Sequence, residues 1–404
     1  MHPLIHDWNG APTRPAHPVL LNDETLRDGL QSPSVRTPTI EQKLHILHLI
    51  DRLGIETADI GLPGAGPHVV RDVERLAREI GDARLTVRAN CAARTLIADI
   101  QPIAEISQRA GVPIECCAFI GSSPLRQYAE GWALDRLLTL TEEAIRFAVG
   151  EGLTVMYVTE DTTRADPDTL RQLYSAAIRA GASRVCISDT VGHATPAGAA
   201  AVTRFIAEVV AECGGGVGID WHGHRDRDLA VMNSIAAIDA GASRVHGCAI
   251  GIGERVGNTP MDALLMNLVL MGYIARDLSA LVEYCEYTAS VTGVPIPANY
   301  PVVGRDAFRT ATGVHAAAVI KAFRKQDREL VDAVYSGVPA SLIGREQEIE
   351  VGPMSGRSNV VFWLEKRGVP VSDALVERIF ARAKTSMTVL RDDEIRELIE
   401  ARPD

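Results

Sequence analysis

His222 and His224 stand two residues apart in Trp221-His-Gly-His224. On an extended strand that spacing projects both imidazoles from one face, a geometry suited to chelating a metal ion. Two other stretches concentrate polar groups: Asp23-Glu-Thr-Leu-Arg-Asp-Gly-Leu-Gln31 and Gly251-Ile-Gly-Glu-Arg-Val-Gly-Asn258. Asp28 from the first and Asn258 from the second complete a mixed nitrogen and oxygen set, with water or substrate oxygens in the remaining positions. Such ligands suit Zn, Mn or Mg. Each piece also has a plain structural reading. A single His-x-His occurs in cores without metal, and Asp28 beside Arg27 reads equally well as an ion pair.

The elements that must position these groups are short β-prone runs at 19–21, 57–60, 85–87, 114–119, 154–158, 184–187, 217–221 and 244–248. Helical patterns separate them, as in the apolar stripe Leu44, Leu47, Ile50 and Leu53. Strand–helix alternation predicts a parallel sheet, and eight units predict closure into a (β/α)8 TIM barrel. The hexapeptide Ala180-Gly-Ala-Ser-Arg-Val185 recurs at Ala240-Gly-Ala-Ser-Arg-Val245, each copy ending a helix and entering a strand. In such barrels the active site forms where strands end at their C-termini, so the polar stretches after strands one, seven and eight converge.

The expected organisation is an N-terminal arm over 1–18, a catalytic barrel over 19–280, and a linker with a mainly helical C-terminal domain over 281–404. The arm is read as flexible or lid-like, and its three histidines are not read as ligands. Pro295, Pro297 and Pro301 mark the linker, and the last helical pattern runs 374–402. With 46% hydrophobic and 23% charged residues and no apolar run of spanning length, a soluble protein is expected. A net charge of −11 without a basic stretch argues against nucleic acid as a partner. Seven scattered cysteines without a CxxC spacing fit reduced thiols in the cytoplasm.

Taken in order, Asp-x-Thr-Leu-Arg-Asp-Gly-x-Gln, His-x-His and Gly-x-Gly-Glu-Arg-x-Gly-Asn resemble the homocitrate synthase and 2-isopropylmalate synthase family, the Claisen-condensing branch of the DRE-TIM metal-dependent barrels. The likeness continues through Asp189-Thr-Val-Gly192, Thr195-Pro196 and Thr312-Gly-Val-His315 and spans about 19–357. The resemblance implies an acyltransferase that condenses acetyl-CoA with a 2-oxo acid on a divalent cation, then hydrolyses the thioester to a 2-substituted malate and CoA. By the same resemblance Asp28, His222 and His224 are metal ligands, and Asn258 is a further ligand or supports one. Arg27 polarises the keto oxygen, Gln31 and Thr190 hydrogen-bond the 2-oxo acid, and Glu160 is the acid/base. His315 and Tyr335 correspond to residues that a neighbouring subunit brings to the barrel mouth, which implies a homodimer with shared active sites.

The sequence departs from its relatives at specific places. Homocitrate synthases carry an arginine four residues before the catalytic glutamate and a serine two before it, where this chain has Met156 and Val158. Arg88, Asn90 or Arg94 are then the candidate polar contacts to the acceptor, whose side chain the sequence leaves open. Gly352-Pro-Met-Ser-Gly-Arg357 resembles a family element but lacks its Lys and His. The leucine-responsive regulatory domain is not expected. The alternative reading is a carbon–carbon lyase like the hydroxymethylglutaryl-CoA lyases, which carry a cysteine in the glycine loop after strand eight. Residues 251–258 contain none. A noncatalytic barrel that binds metal or CoA would not require Arg27, Asp28, Glu160, His222, His224 and His315 together.

Overall fold

Eight parallel strands close on themselves: β1 (Leu20–Asp23), β2 (Thr57–Asp59), β3 (Arg88–Arg94), β4 (Ile114–Gly121), β5 (Val155–Glu160), β6 (Arg184–Asp189), β7 (Gly218–Gly223) and β8 (Arg244–Gly247). The seam is β1 against β8, in register from Leu20 opposite Arg244 to Asp23 opposite Gly247. The computed structural model describes residues 2–9 and 14–401. The expected TIM barrel is the observed fold. Its helices start and stop on local chemistry. Thr39 and Gln42 form a reciprocal capping box at the start of Ile40–Arg52, satisfying backbone donors that the first turn leaves open. That helix turns Ile46, Leu47, Leu49 and Ile50 to the sheet, a wider stripe than expected, with Leu44 only half-buried.

The third strand departs from the expectation. It begins at Arg88, after the apolar run at 85–87 that reads as the strand, and its interior is Ala-Asn-Cys-Ala-Ala. Small residues with low β-propensity are tolerated there because hydrogen bonding to β2 and β4 fixes the backbone.

The repeated hexapeptide plays the same part twice. Gly181 and Gly241 take left-handed backbone, φ +113° and +117°, where the chain leaves a helix. The serine N–H of each copy then donates to the neighbouring strand, Ser183 to Val155 O and Ser243 to Ile219 O. The arginines that follow converge on one carboxylate: Arg184 Nε lies 2.6 Å from Asp220 Oδ1, and Arg244 Nε 2.5 Å from Asp220 Oδ2.

The chain forms two compact units, one of Ala11–Pro295 and one joining Met1–Gly10 to Ile296–Asp404. The barrel unit thus runs past residue 280. The helix Leu281–Thr292 belongs to it, burying Leu281, Tyr284, Cys285 and Val291, with Tyr284 Oη hydrogen-bonded to Asp23 and Thr25 at the end of β1. Among its described residues the second unit holds five α-helices from Gly313–Arg324 to Asp392–Glu400 and a two-stranded parallel pair, Arg309–Thr310 with Glu348–Ile349. Its larger core gathers Val351, Val360, Trp363, Leu364, Ile379 and Leu390. The expected N-terminal arm divides between the units. Residues 1 and 10–13 of it, and Arg402 of the last helical pattern, lie outside the described residues. Among the described residues no helix is long and apolar enough to cross a membrane.

Candidate active site

The C-terminal ends of the strands surround a cavity of about 180 Å³ lined by Arg27, Asp28, Gln31, Glu160, Thr190, His222 and His224. Strand parity explains the gathering. Inward positions recur every second residue, so Met156, Val158 and Glu160 climb β5 on one face while His222 and His224 do so at β7. Apolar side chains line the same cavity: Leu62, Ala92, Cys117, Phe119, Met156, Val158 and Cys186.

Asp28, His222 and His224 are 6%, 9% and 5% exposed. One potential ligand atom from each lies within 4.8 Å of the others. Two buried polar atoms beside them, His224 Nδ1 and Asn258 Oδ1, have no hydrogen-bond partner among the described residues. Buried polar groups are rarely left so, and a cation satisfies lone pairs of this kind. Charge agrees: Glu24, Asp28 and Asp59 gather around the single guanidinium of Arg27. The residues present therefore fit a divalent cation. Burial, and then the neighbouring His222, push the His224 pKa down to about 4, which keeps its imidazole neutral and able to ligate. Burial works to raise Asp28, but Arg27 and then His222 hold it below its ordinary range, as a carboxylate.

Asn258 is placed by the glycine loop after β8. Gly257 has φ +102°, and a Cβ there would come within 1.8 Å of the Gly251 carbonyl oxygen, so only glycine allows the chain to fold back this tightly. The fold-back pairs Asn258 with His224 and lets Asn258 Nδ2 donate to Asp28 Oδ1 at 3.0 Å. Arg27 bonds Asp59 through Nε at 2.7 Å and Asp28 through Nη1 at 2.8 Å. The ion pair weighed as a structural alternative for Asp28 is therefore present within the site itself.

Glu160 ends β5. Among the described residues its carboxylate makes no hydrogen bond or ion pair, and burial raises its pKa. Its backbone carbonyl accepts from the N–H and hydroxyl of Ser122. Thr190 Oγ1 accepts from the Asp161 N–H at 2.8 Å, while Gln31 is exposed at the rim.

Arg88 and Asn90 are not brought to the cavity. Because β3 starts at Arg88, that side chain is exposed at the N-terminal end of the barrel, opposite the site. Asn90 is buried below the cavity, its Nδ2 2.6 Å from Asn22 Oδ1. Arg94 does end β3, but it is committed to Asp99 through two bonds of 2.6 and 2.9 Å. His315 and Tyr335 lie in the second unit, stacked with ring centroids 4.1 Å apart beside a pocket that also includes Thr310, Thr312 and Gln347.

Four residues essential to the geometry escape the sequence reading. Glu24, His246, Asp59 and Asp220 are all buried and all bonded into the site. The signal for two of them is parity: Asp220 and His222 on β7 with His224 just beyond it, and Arg244 and His246 on β8, are polar at every second position of strands that otherwise read as core.

Residues 19–287 match the family model described as HMGL-like. The chain belongs to the HMGL-like family. Among curated HMGL-like relatives it is 33% identical to a probable 2-isopropylmalate synthase of Methanopyrus kandleri, over 91% of this chain and 69% of that one. It is also 33% identical to the homocitrate synthase AksA of the same organism, over 91% of this chain and 87% of that one. Both are named as synthases. In the HMGL-like fold it resembles the HMG-CoA lyase of Bacillus subtilis, with a TM-score of 0.59 and 19% identity over 71% of this chain and 97% of that one.

Proposed function

We propose that this HMGL-like chain condenses the methyl carbon of acetyl-CoA onto the keto carbon of a 2-oxo acid and then hydrolyses the thioester. The observation that carries the reading is one cavity holding a buried histidine–carboxylate set, a guanidinium and a half-buried carboxylate that makes no hydrogen bond or ion pair among the described residues. When bound by Asp28, His222 and His224, a Zn, Mn or Mg ion supplies Lewis-acid stabilisation of charge growing on the acceptor's oxygen. Arg27, half-buried beside the metal set, faces the same charge with an N–H donor. Gln31 and Thr190 orient the acceptor's carboxylate. Glu160 takes a proton from the thioester methyl group, the resulting carbon nucleophile attacks the keto carbon, and the keto oxygen takes a proton from water to end as a hydroxyl while Glu160 returns its own to water. Water then cleaves the thioester, giving a 2-substituted malate and the free thiol of CoA.

The acceptor side chain is uncharged in this reading. The wall of Leu62, Cys117, Phe119, Met156 and Val158 carries no cation, and the Arg244 guanidinium against Met156 is committed to Asp220 and Glu115, so a second carboxylate pressed there would lose its hydration without a replacement partner. Purified protein with a divalent metal and acetyl-CoA is expected to release thiol with aliphatic 2-oxo acids at a kcat/KM at least tenfold above that with 2-oxoglutarate. Preference for the dicarboxylic acid would refute the acceptor reading. Absence of thiol release across aliphatic, dicarboxylic, aromatic and phosphono acceptors would refute condensation itself.

The working form proposed is a cytoplasmic homodimer, with seven unbridged cysteines suited to a reducing compartment. In it the His315–Tyr335 pair of one subunit completes the barrel site of the other. Mixing Glu160→Gln and His315→Ala chains should restore about a quarter of wild-type activity. Random pairing makes half the dimers mixed, and each mixed dimer keeps one intact site of two. Verified subunit exchange without recovery means that His315 does not act across the interface.

A further inference from the structure

We propose that Glu24 and His246 are positioning residues of the metal centre, holding His222 in the tautomer and ring orientation that turn its Nε2 lone pair toward Asp28 and His224. The inference rests on the ligand reading above and concerns residues that the reading does not use.

Glu24 follows β1 and is 3% exposed. Its two oxygens are divided between two imidazoles: Oε2 lies 2.7 Å from His222 Nδ1, and Oε1 lies 2.9 Å from His246 Nδ1. A carboxylate only accepts, so His222 must donate from Nδ1, which commits that nitrogen to Glu24 and leaves Nε2 as the one available to a metal ion. That nitrogen faces Asp28 Oδ2 at 3.9 Å, too far for a hydrogen bond.

His246, 2% exposed, is held from both ends. Its Nε2 lies 2.9 Å from Asp220 Oδ2, so carboxylates face both ring nitrogens and both nitrogens donate. Asp220 is fixed in turn by Arg184 and Arg244, the two arginines of the repeated hexapeptide, and Arg244 reaches on to Glu115 at 2.6 Å. A continuous path thus runs from the repeat through Asp220, His246 and Glu24 to His222, across β6, β7, β8 and the end of β1. Each link is a charge-assisted hydrogen bond between buried or half-buried groups, where such bonds are strong and directional.

Glu24, His222 and His246 also satisfy a bare proximity test for a metal cluster. Their facing atoms, however, are already joined by hydrogen bonds, whereas the unsatisfied atoms belong to His224 and Asn258. The geometry therefore assigns Glu24 and His246 to orienting a ligand. Partners of this kind typically change metal affinity 10–100-fold when lost.

Co2+ affinity, measured on folded metal-free protein by competition with a chromophoric chelator, is expected to fall about 10–100-fold in Glu24→Gln. A smaller loss is expected in His246→Gln, with an altered visible spectrum of the bound Co2+ in both. Affinity within about twofold of wild type in both variants overturns the inference. An assay independent of variant folding uses histidine-15N-labelled wild type without metal, in which His222 should carry its proton on Nδ1. A proton on Nε2 with Nδ1 bare overturns the proposal. Failure of the ligand reading is recognised separately: His222→Ala and His224→Ala would then both bind Co2+ normally. Loss of binding in those two with normal binding in Glu24→Gln removes only the positioning role.

Discussion

His222→Ala and His224→Ala each lose condensation activity by at least about 10³-fold and lose bound metal, while the barrel remains folded. The size follows from the chemistry. Stabilising charge on a ketone oxygen with a Lewis acid contributes several kcal/mol, and each 1.36 kcal/mol is tenfold in rate. The structural cost is smaller and differs between the two. Removing the His222 ring leaves Glu24 Oε2 buried without its donor at 2.7 Å, a penalty of roughly 1–3 kcal/mol. His224 is different because its Nδ1 is already without a partner in the metal-free protein. Deleting that ring removes an unsatisfied buried atom, so metal-free His224→Ala should melt closer to wild type than metal-free His222→Ala. Metal content by mass spectrometry and thermal melts by circular dichroism check both parts, and unchanged metal stoichiometry in the two variants defeats the ligand assignment.

That the site is a barrel mouth with a His-x-His at its edge was legible because both signals are local. Strand–helix alternation and a period of two are written within a few residues. The third strand shows the limit of local reading. Its sequence Arg-Ala-Asn-Cys-Ala-Ala-Arg carries little β-propensity, and the preceding Leu-Thr-Val carries more. Ladder pairing to Thr57 and Ile114 on the flanking strands overrides that preference. The shift is small, but it sends Arg88 to the wrong end of the barrel and Asn90 beneath the cavity. Glu24 was missed for another reason. It sits inside a stretch singled out for its chemistry, yet its partners are His222 and His246, which only closure of β1 onto β8 brings near. The repeated arginines were visible as a repeat, but their convergence on Asp220 is a fact of three strands and not of either copy.

Glu160→Gln should lower turnover by about 10²–10⁴-fold, the usual worth of a placed acid/base, while affinity for metal and for the 2-oxo acid stays near wild type. The amide keeps the shape of the side chain. Among the described residues no hydrogen bond or ion pair of the Glu160 carboxylate is broken by the change, so neither the strand end nor the metal set is disturbed. The pH profile supplies a second readout. Burial raises the Glu160 pKa, with Arg126 and Arg27 opposing it more weakly. A base acts only when deprotonated, so wild-type turnover should rise with pH through a midpoint above the usual carboxylate range. That limb should be missing from the residual activity of Glu160→Gln. Steady-state thiol release across pH, alongside acceptor binding by calorimetry, separates the outcomes. Near-normal turnover removes Glu160 from proton transfer. Normal turnover at saturating acceptor with a raised KM makes it a binding residue. Lost turnover with an unchanged acid limb shows that the group titrating there is another one, and the base must then be sought elsewhere on the cavity wall.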